Sequence, residues 1–543
     1  MRFYLLGVSL FCFYACIAII PAIFFLFNIP VNYFEFPFAL LVSFWCIWAL
    51  QKQITNTLYV PAFLINLGCA LILFVLTIIF CQNFYDTSFD GNWYHMDAVY
   101  NLAGGWSPVY EQLRPEQTSF CEKYLNHFPK LSWIYGASVY VFTDNLEAGK
   151  SATFLLSIAS LCVWQYAAQK ALKIPAFPAW IFALIIASNP VQMLNMLSFY
   201  TDGQLAAAYS IAIAFFILFT GDRSKVNLLL TLFTLAILAN FKFTSAIYAG
   251  MLSLALFIFC WQQQFIQLKK LVFIFFAWTV FTYSVIGFNP YITNTMYNGN
   301  PLYPLSESST SVFSRQAIYP ANFLEMNWVE KFLSGIFAEP TWARNPDISY
   351  VKNLFHQTNL HSYTGGMPEL AGFGPMIPEV LVILFPLFLA ACFLIPLKVL
   401  KPVLILMGVI ALTILINPEA WILRYVPQFW LFITAMLYLV WIQPKLKYLA
   451  CLLALGLLLN NYMMVREYLI ANSDKTQGLQ NQFALIKKNI PDYQLYHGWT
   501  HSFKNRLGAN GFDTAHLVWI PAEDTTAITF VGSLGARFRK IVK

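Results

Sequence analysis

LYVPAFLINLGCALILFVLTIIFC, residues 58–81, is apolar for the thickness of a bilayer and stops abruptly at Gln82. A helix rises about 1.5 Å per residue, and about 20 apolar residues cross a hydrocarbon core of ~30 Å. Working outward, comparable runs occupy 3–27, 35–50, 150–168, 175–188, 203–220, 227–240, 243–261, 271–288, 377–397, 402–416, 426–442 and 448–464, several of them short. Hydrophobic residues make up 59% of the 543 and charged residues only 10%, where soluble domains average about 25% charged. The expected fold is an all-α membrane protein, a polytopic bundle of about thirteen transmembrane helices. Aromatics at 18%, with 52 Phe, suit lipid-facing surfaces and interfacial belts. The first run is too long for the apolar core of a signal peptide and lacks a small-x-small cleavage pattern, so it is expected to remain as a span.

Loop charge sets the expected orientation, because cytoplasmic loops collect Lys and Arg. With the N-terminus inside, the inner loops carry Arg2, Lys52, Lys170, Lys173, Arg223, Lys225, Lys269, Lys270, Lys398, Lys401, Lys445 and Lys447, whereas the short outer loops carry only Lys242 and Arg424. This asymmetry places 82–149, 289–376 and the tail from about 466 outside. The expected organisation is a membrane module over 1–465 and a small outer C-terminal segment over 466–543, with the capacity for a little α/β structure. The net charge of +7 sits largely in the inner loops, so it reports topology and gives no reason to expect a nucleic-acid partner. Nine of the ten cysteines lie in or beside apolar runs, where they act as small hydrophobes. Cys81 stands at the start of the first outer loop and Cys121 lies within it, and spacing leaves a disulfide between them open.

Segment 82–149 opens QNFYDTSFDGNWYHMDAVYN. An acidic, aromatic, His-containing stretch at the mouth of a membrane bundle is a good place for a general base. Trp93–Leu102 and Leu131–Val141 carry amphipathic spacing and are expected to lie flat on the membrane. Asp90, His95 and Asp97 are the first candidates. A carboxylate here can take a proton from an attacking hydroxyl or hold a divalent metal such as Mg or Mn; Asp90 equally suits a helix cap. In His127-Phe128-Pro129-Lys130 the lysine can bind a phosphate or simply snorkel at the interface. Asp202, in Tyr200-Thr201-Asp202-Gly203, is an ionisable residue at a helix mouth and the second catalytic candidate beside Asp90, with capping as the competing role. Lys242 and Arg424-Tyr425 break the charge trend on the outer side. Phosphate binding is one reason for that; pairing of Arg424 with Glu419 or Asp202 is the other. Asn294 and its neighbouring Tyr and Pro residues suit hydroxyl-rich ligands or ordinary turns. Asp90, Asp202, Lys130 and Arg424 are expected to line one cavity. Tyr94, His95, Asp97, His127, Asn294 and Tyr425 are the candidate acceptor or sugar contacts.

Asp90-Gly91-Asn92-Trp93-Tyr94-His95, His127-Phe128-Pro129-Lys130, Tyr200-Thr201-Asp202-Gly203, Lys242-Phe243-Thr244 and Arg424-Tyr425 together resemble the GT-C class of integral-membrane glycosyltransferases, which includes protein O-mannosyltransferases and bacterial aminoarabinose transferases. The resemblance spans most of the chain to about residue 430. It implies a polyprenyl-phosphate sugar donor, a lipid-linked, glycan or protein acceptor, inversion at the anomeric carbon, Asp90 as catalytic carboxylate, and Lys130, Lys242 or Arg424 as phosphate ligands. It implies an inner-membrane enzyme working on the outer face. The chain departs from that class in one respect: three spans precede Asp90, where the catalytic loop of the class normally follows its first helix. Two other classes compete. A cell-envelope polysaccharide polymerase or ligase would use arginines of a large outer loop, such as Arg315 and Arg344. A lipid-linked oligosaccharide flippase would carry charges deep within its helices, where this sequence is nearly uncharged.

Overall fold

The computed structural model describes residues 1–55, 59–305, 320–341, 360–489 and 492–541. Among them, ten helices are long and apolar enough to cross a membrane, and the chain is an α-helical membrane protein. Three more of the expected runs fold as helices of 12, 15 and 13 residues, Ala176–Ala187, Lys225–Ala239 and Phe429–Trp441. At 1.5 Å per residue they reach only about 18–23 Å, so thirteen full-length spans are not established by length.

The bundle is built around its first helix. Arg2–Phe24 buries Phe11, Phe13, Tyr14 and Ile17 completely. Gly7 permits its close approach to the Ala152–Lys170 helix. A Cβ there would stand 2.8 Å from Val163 Cγ2 and 2.9 Å from the Ala159 carbonyl oxygen, the small-residue contact that packs membrane helices. Glu35–Thr55 and Val60–Gln82 lie at the perimeter. There Leu64, Ile65, Ile72 and Leu76 point outward and exposed, as lipid-facing residues do.

Segment 82–149 differs from expectation in the setting of its two helices. Helices form at Met96–Ala103 and Leu131–Thr143, but neither lies free on a lipid surface. Leu131–Val139 is buried throughout, with Tyr135 stacked on Tyr14 at 4.9 Å between centroids. The physical reason is compositional: LSWIYGASVYVFT is apolar or small all round, and such a helix is buried. Nor are Cys81 and Cys121 bridged. Cys81 Sγ lies 3.7 Å from the Met196 carbonyl oxygen and Cys121 Sγ lies 3.9 Å from Asp97 Oδ2, so each thiol is already committed to a different neighbour.

The C-terminal segment grows directly from the bundle. Lys447–Lys488 is one helix of 42 residues, about 63 Å long, and the expected boundary at 465/466 falls inside it. Its far end contributes Leu479, Phe483 and Ile486 to a second core with Phe503, Phe512, Phe530 and Phe538. Strands Tyr493–Tyr496, Ile528–Thr529 and Arg537–Lys540 form an antiparallel sheet with the last strand in the middle. Helix His501–Ala509 faces the first loop.

That helix carries the contact that fixes the loop. Arg506 is 2% exposed. Its Nη2 donates to Glu147 Oε1 at 2.6 Å and to the Asp86 carbonyl oxygen at 3.1 Å, and its Nη1 donates to Asn92 Oδ1 at 3.1 Å. Lys150 Nζ meets the other Glu147 oxygen at 2.5 Å, and the Asp86 N–H donates to it at 2.9 Å. The Asp86 carboxylate accepts from the backbone N–H groups of Ser88 and Phe199 at 2.8 and 2.7 Å. The loop that carries Asp90 is therefore tied at both sides by buried charge. Removing one member of such a set leaves an uncompensated charge, at a cost of about 3–5 kcal/mol. Arg506→Ala should loosen the C-terminal segment from the first loop. Limited proteolysis of the full-length protein in detergent should then cut residues 489–541 faster than in the parent, and an unchanged cleavage pattern would show that the ion pair does not hold the segment.

Candidate active site

Four charged side chains meet at one end of the bundle. Asp90 precedes a wide turn, Gly91–His95, in which the Met96 N–H reaches back to the Gly91 carbonyl. Wide turns of this kind recur at functional sites. Gly91 is required there, because a Cβ would sit 2.3 Å from both Asp86 Oδ2 and Ser88 Oγ. Asp202 opens the Asp202–Asp222 helix and Lys242 immediately precedes Phe243–Gln262. Arg424 lies in the short turn before the Phe429–Trp441 helix.

The charges alternate. Lys242 Nζ is 2.6 Å from Asp202 Oδ1, and Arg424 Nη1 is 3.6 Å from Asp90 Oδ2. Tyrosines line the cations: the Arg424 guanidinium lies over the Tyr200 and Tyr425 rings at 5.2 and 5.1 Å, and Lys242 lies over Tyr425 at 5.0 Å. The Tyr200 hydroxyl accepts the Asp90 backbone N–H at 3.3 Å. Exposure separates the four. The Asp202 side chain is 1% exposed, whereas those of Asp90, Arg424 and Lys242 are 19%, 13% and 22% exposed, so three of them are partly open and Asp202 is closed off. Two buried atoms of the cluster, Asp202 Oδ2 and Arg424 Nε, have no protein partner.

Burial pushes the Asp90 carboxyl above the ordinary range, against the opposing pull of Arg424 and Lys242. For Arg424 the cost of burial is outweighed by Tyr425, Tyr200, Asp90 and Asp202, and its pKa is raised, so it keeps its charge. His95 lies behind the cluster, its ring 5.8 Å from that of Tyr200. Burial first, then Lys242 and Arg424, hold it well below the ordinary histidine range, so it is neutral. Trp133 Nε1 donates to its Nδ1 at 2.7 Å, which puts the proton on Nε2, a buried atom with no protein partner. Tyr94 is buried, 4.1 Å from His95 ring to ring and stacked on Tyr124 at 5.0 Å.

The remaining sequence candidates stand elsewhere. Lys130 donates to the carbonyl oxygens of Asn126 and Phe128 at 3.1 and 2.9 Å and to Asn289 Oδ1. All three ammonium hydrogens are thus taken, and burial drives its pKa well down. It ties segment 82–149 to the segment that starts at Asn289. Asn294 does the same, giving Nδ2 to the His127 and Tyr303 carbonyls at 3.1 and 2.9 Å while its Oδ1 meets His127 Nδ1 at 2.8 Å. Asp97 accepts the Ser119 N–H at 3.0 Å and its hydroxyl at 2.5 Å, and Ser119 Oγ accepts the His501 N–H at 2.7 Å. Asp97 therefore joins the loop to the C-terminal segment. Arg315 and Arg344 lie outside the described residues. Glu419 accepts from Trp421 Nε1 at 2.8 Å, and the carboxylate that faces Arg424 is that of Asp90. Sequence reasoning singled out neither Tyr200 as a partner nor Asp86, Glu147 and Arg506. Asp86 lay four residues from Asp90 in the same acidic stretch, but Arg506 carried no local signal.

The arrangement can bind an anion and accept a proton at adjacent points. Its two carboxylates each face a cation, and among the described residues no three His, Cys, Asp or Glu side chains converge. No family model, curated protein or solved structure matches the chain.

Asp97 supplies a pH test. Burial raises its carboxyl to about 7, against the hydrogen bonds from Ser119, while in the unfolded chain it titrates near ~3.9. Between these values the folded state holds a proton that the unfolded state has lost. Stability from this group is therefore full below about pH 4 and declines as pH rises towards 7, by at most ~1.4 kcal/mol per pH unit. Thermal unfolding of Asp97→Asn should show a flatter profile than the parent between pH 4 and 7. Parallel profiles would refute the assignment.

Proposed function

We propose that this protein is a glycosyltransferase that moves a sugar from a polyprenyl-phosphate donor to a hydroxyl of a lipid-linked, glycan or protein acceptor, with inversion, on the outer face of the plasma (inner) membrane. The observation that carries the reading is the alternating Asp90–Arg424 and Asp202–Lys242 cluster at the mouth of membrane helices, with Arg424, Lys242 and Asp90 all partly open. A resting carboxylate occupies each cation, and a phosphate is the ligand whose charge and geometry compete for both.

The chemistry follows from that exchange. The donor phosphate draws Arg424 and Lys242 to itself, which weakens the attraction that holds the Asp90 proton affinity down. Asp90, already raised by burial, becomes the stronger base for the acceptor hydroxyl. The acceptor oxygen forms its bond to the anomeric carbon from the face opposite the phosphate as the bond from that carbon to the phosphate oxygen breaks. The electron pair leaves with polyprenyl phosphate, the new negative charge falls beside Arg424 and Lys242 in a tyrosine-lined, water-poor site, and the proton rests on Asp90. Neutral His95 keeps an Nε2–H beside the cluster as a donor to the sugar. Asp202, buried and paired, positions Lys242. No step needs a divalent metal.

Asp90→Asn preserves shape and removes the base, so transfer should fall by about 10²–10⁴ with the unfolding temperature unchanged. Near-normal turnover would reduce Asp90 to a loop residue. Arg424→Ala should raise the KM for a lipid-phosphate sugar at least tenfold more than the KM for the acceptor. The parent enzyme should transfer nothing from a nucleotide sugar when no lipid carrier is present. Equal loss on both substrates, or efficient nucleotide-sugar transfer, would overturn the donor assignment.

A further inference from the structure

An opening lies beside the Arg506–Glu147 contact. It is a crevice of about 680 Å³ between the first outer loop, the far half of the Lys447–Lys488 helix and the His501–Ala509 helix. Its size falls within the roughly 300–1,000 Å³ of small-molecule sites. Its walls are unlike those of the charged cluster. Side-chain amides come from all three elements, among them Asn145, Gln480 and Asn505, and phenols come from Tyr100 and Tyr140. The charged groups on the wall balance, Lys504 and Arg506 against Asp144 and Glu147. Arg506 is in addition already spent on Glu147 at 2.6 Å.

Two residues that line the opening each hold a buried atom without a protein partner: the Tyr100 hydroxyl and Arg506 Nε. An unpaired buried donor is costly, about 1–3 kcal/mol each, and both belong to residues that line the opening. Tyr100 is held by an edge-to-face contact with Tyr140, 5.6 Å between centroids, so its ring is positioned independently of any ligand. Amides that both donate and accept, phenol rings that stack, and no net charge together select a neutral ligand rich in hydroxyl groups. An anionic headgroup would gain little from a wall whose arginine is already neutralised.

We propose that this crevice binds a neutral glycan chain. The chain's placement as acceptor rests on the transfer reaction proposed above; its binding does not. Tyr85 lines the crevice and stands five residues before Asp90, on the loop tied down through Asp86 and Asn92, so a chain anchored there lies against the loop that carries the base.

The test uses the full-length protein in detergent on an array of neutral and acidic oligosaccharides. Parent protein should be retained by neutral oligosaccharides in preference to acidic ones. The double variant Tyr100→Phe, Asn505→Ala removes two polar contacts, the hydroxyl of one and the amide of the other, and should lose about tenfold or more of that retention. Asp90→Asn should bind as the parent does, whatever it does to transfer. Retention of no neutral glycan, a preference for acidic ones, or equal retention by the double variant overturns the proposal. Loss of transfer in Asp90→Asn with binding intact separates its fate from that of the catalytic reading.

Discussion

Glu147 cannot be buried alone. Its carboxylate is out of water, and the structure answers with Lys150 on one oxygen and Arg506 on the other. A charge moved into a dry interior is held there only by close partners and complete hydrogen bonding, and that requirement organises this end of the molecule. Arg506 arrives from the C-terminal segment, 359 residues away in sequence. Once there it also grips Asn92 and the Asp86 carbonyl. Those two contacts bracket Asp90, so the position of the candidate base is set by a residue that never touches it.

The charged cluster obeys the same rule with a different balance. Asp202 is closed off with Lys242 against it, while Asp90 and Arg424 face each other at the looser distance of 3.6 Å. The tight pair is closed to water on its acidic side, and the loose pair is partly open. The guanidinium lies over the rings of Tyr200 and Tyr425, and its Nη2 donates to the Tyr425 hydroxyl at 3.4 Å.

Much of this was legible in the sequence, for definable reasons. Apolar runs announce membrane helices because the hydrocarbon core tolerates no exposed backbone or charge, and the long ones appear as full helices. Lys242 and Arg424 were conspicuous because they oppose the charge trend of the short loops. Asp202 was conspicuous because it stands at the head of an apolar run, and the structure places these three with Asp90. Short polar residues in loops were harder. Lys130, Asp97, His127 and Asn294 look the same in sequence whether they hold a ligand or a neighbouring loop, and here their hydrogen bonds go to neighbouring loops. The Leu131–Thr143 helix was misplaced on the lipid surface because spacing shows which residues are apolar, not what covers them. Arg506 was invisible, since an arginine in a mixed, weakly periodic tail has no local signature and its partner is set only by tertiary docking.

The 42-residue helix Lys447–Lys488 has the character of a keyed shaft. Its first half belongs to the apolar bundle, while its second half presents Thr476 to the Tyr85 N–H at 3.0 Å and Leu479 and Phe483 to the second core. Because it runs unbroken between them, height and rotation are transmitted together. One residue added midway would lift everything beyond it by about 1.5 Å and turn it by about 100°, carrying the Arg506 face off the first loop. Substitutions along the lipid-facing side of this shaft are cheap, but its length is not free to drift: the number of residues between bundle and sheet is itself a specification, as strict as the identity of any side chain in the site.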